Sequence, residues 1–373
     1  MADEGFNVPT DALVEILLRL PTSARWRFRL VCKLWRGAID QRTPERQVRT
    51  KILTFISHGR SSRATVFDDK DGHRRHEWTY NSSTHGGTIH MVGTCNGLIC
   101  LHDTGDSDCS VITVTNPVTG EATALPPVPA RDSFGRLGIY GFGYHPVTGQ
   151  YKVVHVPSLL APRRDVGHVL TLGDGPASWR EVVSPAMAES YNAFCGIVGI
   201  DGSVYWFTSR ANRVMALDLE DERVTSFRGP PGVRPVKMPW QASWQVTSVH
   251  ARLGVAIPCY EAAATVVEVW VLNGGSKELP RWSRRYCLSN TNSIVMAPHL
   301  THGEYIVSRS LDGDRMYRRK VDDGGGGTDG VDRRAAPLDL SEGAEVIMNE
   351  ETEGCLRTFA YIETREPVPS AGQ

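Results

Sequence analysis

The sequence predicts an α+β multidomain chain: a small helical unit over residues 1–45, a large all-β domain over 46–365 and a frayed tail over 366–373. Three observations lead there. Apolar residues near the start fall at helical spacing. After about residue 48 they change to short runs of β-favouring residues. A six-residue turn segment also recurs 29 residues further on.

The helical unit comes first. Leu13, Ile16, Leu17 and Leu20 stand at i, i+3, i+4 and i+7, one apolar stripe of a helix. Thr10 or Asp11 can cap its start, and Asp11 and Glu15 suit the positive end of its dipole. Pro21 stops it, and Thr22 or Ser23 can cap a second helix. There Ala24, Phe28, Val31 and Trp35 make one stripe, extended by Cys32 and Ile39. Trp26, Leu30 and Leu34 make another, roughly 200° away. A helix apolar on two sides is buried on two sides. A unit of about 40 residues seldom folds alone, so the surplus apolar surface calls for something to dock on.

The same residues carry a resemblance. Pro9, the run Glu15-Ile16-Leu17-Leu18-Arg19-Leu20-Pro21 and the run Arg27-Phe28-Arg29-Leu30-Val31-Cys32-Lys33-Leu34-Trp35 resemble the F-box motif in its plant form. Val8 stands where Leu is usual, and Arg25 where an apolar residue is usual. The resemblance implies docking on the Skp-family adaptor, and through it on the cullin, of a cullin–RING ubiquitin ligase. The adaptor-binding residues it implies are Pro9, Leu13, Ile16, Leu17, Leu20, Pro21, Leu30, Val31, Cys32 and Trp35. The alternative for these residues is a helical hairpin packed on its own chain.

The β domain follows. Runs of four to eight residues rich in Val, Ile, Tyr, Trp and Thr are divided by Gly, Pro, Asn and Asp: Val111–Thr115, Tyr151–Val156, Ser203–Thr208, Val214–Leu219, Val266–Leu272, Trp282–Leu288 and Glu304–Arg309. Trp282, Arg284, Tyr286 and Leu288 alternate with Ser283, Arg285, Cys287 and Ser289, the period of a strand with one face covered. Val266–Leu272 is apolar at almost every position, as in a strand covered on both faces. Asn116-Pro117-Val118-Thr119-Gly120-Glu121 recurs as His145-Pro146-Val147-Thr148-Gly149-Gln150. Proline early and glycine late in such a segment make a tight turn between antiparallel strands. Repeated hairpins over about 300 residues predict a closed or radially repeated sheet, which leaves few exposed edges.

Cys95-Asn96-Gly97-Leu98, Asn116-Pro117, Gly141-Phe142-Gly143-Tyr144, Tyr151-Lys152-Val153-Val154 and Gly202-Ser203-Val204-Tyr205-Trp206 resemble the F-box-associated domain of plant F-box proteins. The expected fold is therefore a small N-terminal helical F-box followed by a large all-β, propeller-like domain that receives the substrate. His145 stands where Asp usually precedes the turn proline, and the sequence alone predicts a less well-made turn there, because Asp folds onto turn backbone more readily than His.

Composition removes several function classes. The net charge is −1, so nothing pulls the chain toward nucleic acid or an anionic membrane. No apolar run approaches a membrane span. Met1–Gly5 lacks the basic and apolar parts of a signal peptide, so the expected compartment is the cytoplasm, the nucleus or both, with the eight cysteines reduced. There is no CxxC pair, no Walker loop, no Gly-x-Ser-x-Gly elbow and no His-Glu-x-x-His. Asp69-Lys70-Asp71-Gly72 fails as a calcium loop, since Phe67 and Trp78 occupy its end ligand positions. His73, His76, His85 and His90 have no fixed ligand spacing, and no metal, cofactor or catalytic residue is expected.

The functional expectation is a substrate-recognition subunit of a Skp–cullin–F-box ubiquitin ligase, with no chemistry of its own. It would bind the adaptor through the F-box and an unnamed protein substrate through the β domain. The alternatives are a non-ligase F-box interaction or regulatory protein, and a β-propeller enzyme with a helical extension.

Overall fold

A computed structural model describes residues 10–19, 35 and 51–370, except 69–73, 106–109, 130–137, 158–160, 162–163, 174–176, 189–195, 209–211, 232, 234–243, 250–251, 262–263, 274–280, 291–299, 303–304, 310–314, 321–337, 340–344 and 350–354. Among the described residues the secondary structure is nearly all β. One α-helix, α1 (Thr10–Arg19), and one 3-10 turn (Pro185–Ala188) are the exceptions, apart from the single helical residue Trp35. The expectation of an α+β multidomain chain is thereby corrected: the helical periodicity is confined to about an eighth of the sequence, while six β-sheets make up the fold. The second expected helix lies outside the described residues except for Trp35.

The six sheets are the blades of a propeller, and the chain closes the ring with strands from both ends. Blade 1 joins β1 (Lys51–His58), β2 (Ser61–Phe67) and β3 (Arg74–Asn81) to β25 (Cys355–Tyr361), in the order β25-β1-β2-β3. Blade 2 is β4 (Thr88–Cys95), β5 (Leu98–Thr104), β6 (Val111–Thr115) and β7 (Ala122–Leu125). Blade 3 is β8 (Gly138–His145), β9 (Gln150–Pro157), β10 (Val166–Leu172) and β11 (Trp179–Val183). Blade 4 is β12 (Ile197–Ile200), β13 (Ser203–Phe207), β14 (Arg213–Asp218) and β15 (Val224–Arg228). Blade 5 is β16 (Gln245–Val249), β17 (Arg252–Glu261), β18 (Ala264–Asn273) and β19 (Arg281–Asn290), with β23 (Leu338–Asp339) added in parallel. Blade 6 is β20 (Leu300–His302), β21 (Tyr305–Arg309), β22 (Arg315–Lys320) and β24 (Glu345–Asn349). The inner strands β25, β4, β8, β12, β16 and β20 adjoin one another in turn and complete the circle.

This arrangement explains the apolar runs. A blade is sandwiched between two neighbours, so both of its faces are covered, and each seam has its own core. Val153, Leu170 and Phe142 of blade 3 pack with Leu98, Cys100 and Val114 of blade 2. The next residue, Val154, faces the other way and packs with Val156, Trp206, Met215 and Leu217 in the seam to blade 4. Equivalent cores fill the seams between blades 4 and 5, 5 and 6, 6 and 1, and 1 and 2. Blades 3 and 4 pack closely at their inner strands. A Cβ on Gly199 would stand 2.4 Å from the Phe142 carbonyl oxygen, and one on Gly143 would stand 2.6 Å from Leu219.

The ring has two distinct ends. Lys51 at the start of β1 pairs with Tyr361 at the end of β25, so the chain enters and leaves at one end. The turns 95–98, 115–122, 145–150 and 200–203 lie at that same end. The opposite end carries residues 59–60, 82–87 and the starts of β4, β8 and β12.

Candidate interaction site

The expected adaptor-facing residues are described in part. Leu13 and Leu17 lie one turn apart on α1 and are buried, 2% and 0% exposed. Ile16, on the same stripe, is 50% exposed. The stripe therefore divides: two leucines face inward and the isoleucine presents apolar surface outward. Trp35 is half-buried. Pro9, Leu20, Pro21, Leu30, Val31 and Cys32 lie outside the described residues, as does Arg25.

At the end where the chain enters, the sequence motifs become turns. Asn96 and Gly97 both take positive φ, 48° and 84°, as a two-residue hairpin turn requires. Asn96 Nδ2 donates to the Tyr151 hydroxyl at 3.1 Å, tying blade 2 to blade 3. Asn116 Oδ1 accepts from the amides of Val118 (2.9 Å) and Thr119 (3.4 Å), the side-chain-to-backbone bond that makes Asn a turn residue. His145 does the same work at the second turn: its Nδ1 accepts from the Thr148 amide at 3.1 Å. The turn is fully made, against the expectation from the missing Asp, because an imidazole nitrogen reaches the amide that a carboxylate would. Lys152 Nζ lies 2.7 Å from Glu222 Oε1 between blades 3 and 4, and Arg180 also bonds Glu222. Burial alone raises the Glu222 carboxyl, but the hydrogen bonds and charges of Arg180 and Lys152 outweigh it and hold it below its ordinary value.

Residues 364–370, of which 366–370 fall in the expected frayed tail, cross this face. Asn116 Nδ2 donates to the carbonyls of Thr364 (3.2 Å) and Glu366 (2.7 Å), and the Val368 amide donates to Glu121 Oε2 (3.0 Å). The Gly173 amide donates to the Ser370 carbonyl (3.1 Å), and Ser370 Oγ donates to the Gly173 carbonyl (3.0 Å).

The opposite end is clear of this tail. There Asp103, buried, accepts from Ser82 Oγ (2.7 Å), Thr84 Oγ1 (3.1 Å), the Ser83 amide (3.0 Å) and Ser83 Oγ (3.2 Å), fixing the loop between blades 1 and 2. Beside it runs a row of rings across the seam of blades 2 and 3. His102 to Tyr140 is 4.5 Å, Tyr140 to His155 is 4.9 Å and His155 to His168 is 5.6 Å between centroids. Burial, with the neighbouring His90, pushes His102 down to about 4. Arg357 of β25 donates to the Met91 carbonyl at 2.9 Å and lies over the Phe359 ring. Its charge, after burial, lowers His90.

Among the described residues no group of three or more His, Cys, Asp or Glu is placed to hold a metal. His76 instead pairs with Glu363 at 3.2 Å and stacks on Trp78. Among the described residues Cys95 and Cys100 are free thiols, and burial pushes Cys95 up to about 12. Asp103 and Glu222 escaped the sequence reading because their partners come from other blades. Asn116 before a proline was the one available signal of a side chain folded onto its turn.

The chain is similar to proteins already described. Two plant relatives come from Arabidopsis thaliana. One, named as an F-box protein, is 27% identical over 308 residues, covering 75% of this chain and 75% of its own length. The other, named as an F-box/kelch-repeat protein, is 26% identical over 300 residues, covering 78% and 67%. A chain of a solved nidogen/laminin complex superposes with a TM-score of 0.42 at 9% identity, over 72% of this chain and 89% of that one. The F-box domain family model matches residues 6–46, and the model of the F-box associated beta propeller domain matches residues 47–310. With most of its length matched in this way, the chain belongs to the family of F-box proteins that carry an F-box associated beta propeller domain.

Proposed function

We propose that this protein is the substrate-recognition subunit of a Skp–cullin–F-box ubiquitin ligase. The observation that carries the reading is an F-box match over residues 6–46 joined directly to a propeller that starts at residue 51. The F-box docks on a Skp-type adaptor, and the adaptor links it to a cullin. Ile16, half-exposed on α1, supplies apolar surface for that contact. The propeller holds a protein substrate, and we place the contact on the loops at the end opposite the tail, where the buried Asp103 carboxylate fixes residues 82–84.

The chain contributes position rather than bond chemistry. Holding a substrate lysine near the charged conjugating enzyme raises its effective concentration, which converts a chance encounter into a near-unimolecular step. The unpaired thiols of Cys95 and Cys100 support work in a reducing compartment, the cytoplasm, the nucleus or both. The test is co-purification of the tagged full chain. Adaptor and cullin recovered together support the ligase reading. Adaptor without cullin identifies a non-ligase F-box protein, and recovery of neither overturns both.

A further inference from the structure

We propose that Gly97, Asn116, Glu121 and Gly173 form a peptide-binding site whose ligand is the chain's own segment 364–370, and that this docking latches the ring shut.

The bonds to the segment follow a pattern. The site reads the carbonyls of residues 364, 366 and 370 and the amide of 368, all main-chain groups at a period of two. A period of two is that of an extended chain with one edge toward its receptor. Recognition through main chain gives affinity, and side-chain pockets give selectivity. An apolar side chain is used as well: Val368 packs on the core of the blade 2–3 seam. The path is also sterically prepared. A Cβ on Gly97 would stand 2.4 Å from the Ile362 carbonyl oxygen and 2.5 Å from Thr364 Cγ2, so only glycine lets the segment pass.

The position of the segment gives it a mechanical role. It begins three residues after Tyr361, the end of the closing strand β25. That strand is held to blade 1 by its ladder to β1. The docked segment adds anchors on blades 2 and 3, beyond the closure point. Lys51 Nζ, 2.8 Å from Glu363, fastens the residue just before the segment to β1. For β25 to peel away, these anchors must release as well.

Asn116→Asp separates the latch from the turn. It keeps the Oδ1 that accepts from Val118 and Thr119, and it replaces the Nδ2 donor by an oxygen facing two carbonyls. In the full chain, amide exchange at Val368 should rise on the order of tenfold, β25 amides should exchange faster, and Val118 and Thr119 should be unchanged. Faster exchange in the tail with β25 unaffected overturns the latch. Exchange of the wild-type Val368 amide at the free-peptide rate overturns the site. Val368→Asp, which alters the ligand and leaves the receptor intact, should reproduce the pattern; wild-type exchange in this variant also overturns the site.

Discussion

Lys152 of β9 and Glu222 of the blade 4 turn meet at 2.7 Å across an inter-blade seam, with the lysine side chain only 5% exposed. Lys152 belongs to the Tyr-Lys-Val-Val run that marks the family resemblance, and the seam explains the lysine: it is a charge sandwiched among apolar neighbours that needs one fixed partner.

Glu222→Gln should destabilise the protein by about 3 kcal/mol, because it leaves Lys152 buried and uncompensated. The exposed Arg180 contact adds little to this. The Glu222 carboxyl lies below its ordinary value when folded, so its stabilisation is complete above that value and is lost as pH falls through the folded one. Denaturant melts of wild type and Glu222→Gln should therefore converge in acid; curves that stay parallel to the lowest pH reached refute the coupling.

A second acid effect lies higher in pH. His102 titrates near 4 when folded, against 6.5 for an unperturbed group. The unfolded chain binds its proton first, so stability is full above about 6.5 and declines down to about 4, by roughly 2–3 kcal/mol. His102→Phe keeps the ring beside Tyr140 and should flatten the stability profile across that window. An unchanged slope would show that other groups set it.

On the F-box, neighbouring residues should behave differently. Ile16→Ala should weaken adaptor binding by about 1–2 kcal/mol and leave the melt unchanged, since its side chain is half-exposed. Leu17→Ala should instead cost about 2–4 kcal/mol of folding stability, as a fully buried leucine does. Calorimetric titration with the adaptor and a thermal melt of each variant check both. Wild-type binding by Ile16→Ala removes it from the interface.

Asp103→Asn should loosen the loop at 82–84. One carboxylate oxygen becomes a donor facing donors from Ser82, Thr84 or Ser83, at a cost of about 1–3 kcal/mol. Hydrogen exchange should rise at Ser83 and Thr84. Protection equal to wild type would mean that the loop holds without the carboxylate.

The blades were legible in the sequence wherever both faces are covered. Val266–Leu272 reads as a two-sided strand, and in β18 Val267, Val269 and Val271 face one core while Trp270 and Leu272 face the next. Alternation misled at β19. A bulge opposite Val269 and Trp270 turns Tyr286 into one seam and Trp282 into the other, although their spacing put them on one face. The echo of Asn116 and His145 marked hairpins correctly but not blades: the first turn joins β6 to β7 and the second joins β8 to β9. The inner strands of blades 2, 3 and 4 begin at residues 88, 138 and 197, a spacing near twice the echo. On α1, helical spacing placed Leu13, Ile16 and Leu17 on one stripe but could not show which of them faces outward. The docked tail was invisible for another reason: it is held by its backbone, which side-chain pattern does not record.

The closing strand is also the last of blade 1 to be made. On the ribosome β1 emerges early, and its partner β25 follows roughly 300 residues later, a delay of about 15–60 s at 5–20 residues per second. Throughout that interval one edge of β1 has no strand beside it, the kind of edge on which foreign chains add. The F-box has by then left the tunnel, since residues 6–46 precede β1. An adaptor that bound the F-box during synthesis would thus bind while the propeller is still an open arc, before its last strand arrives.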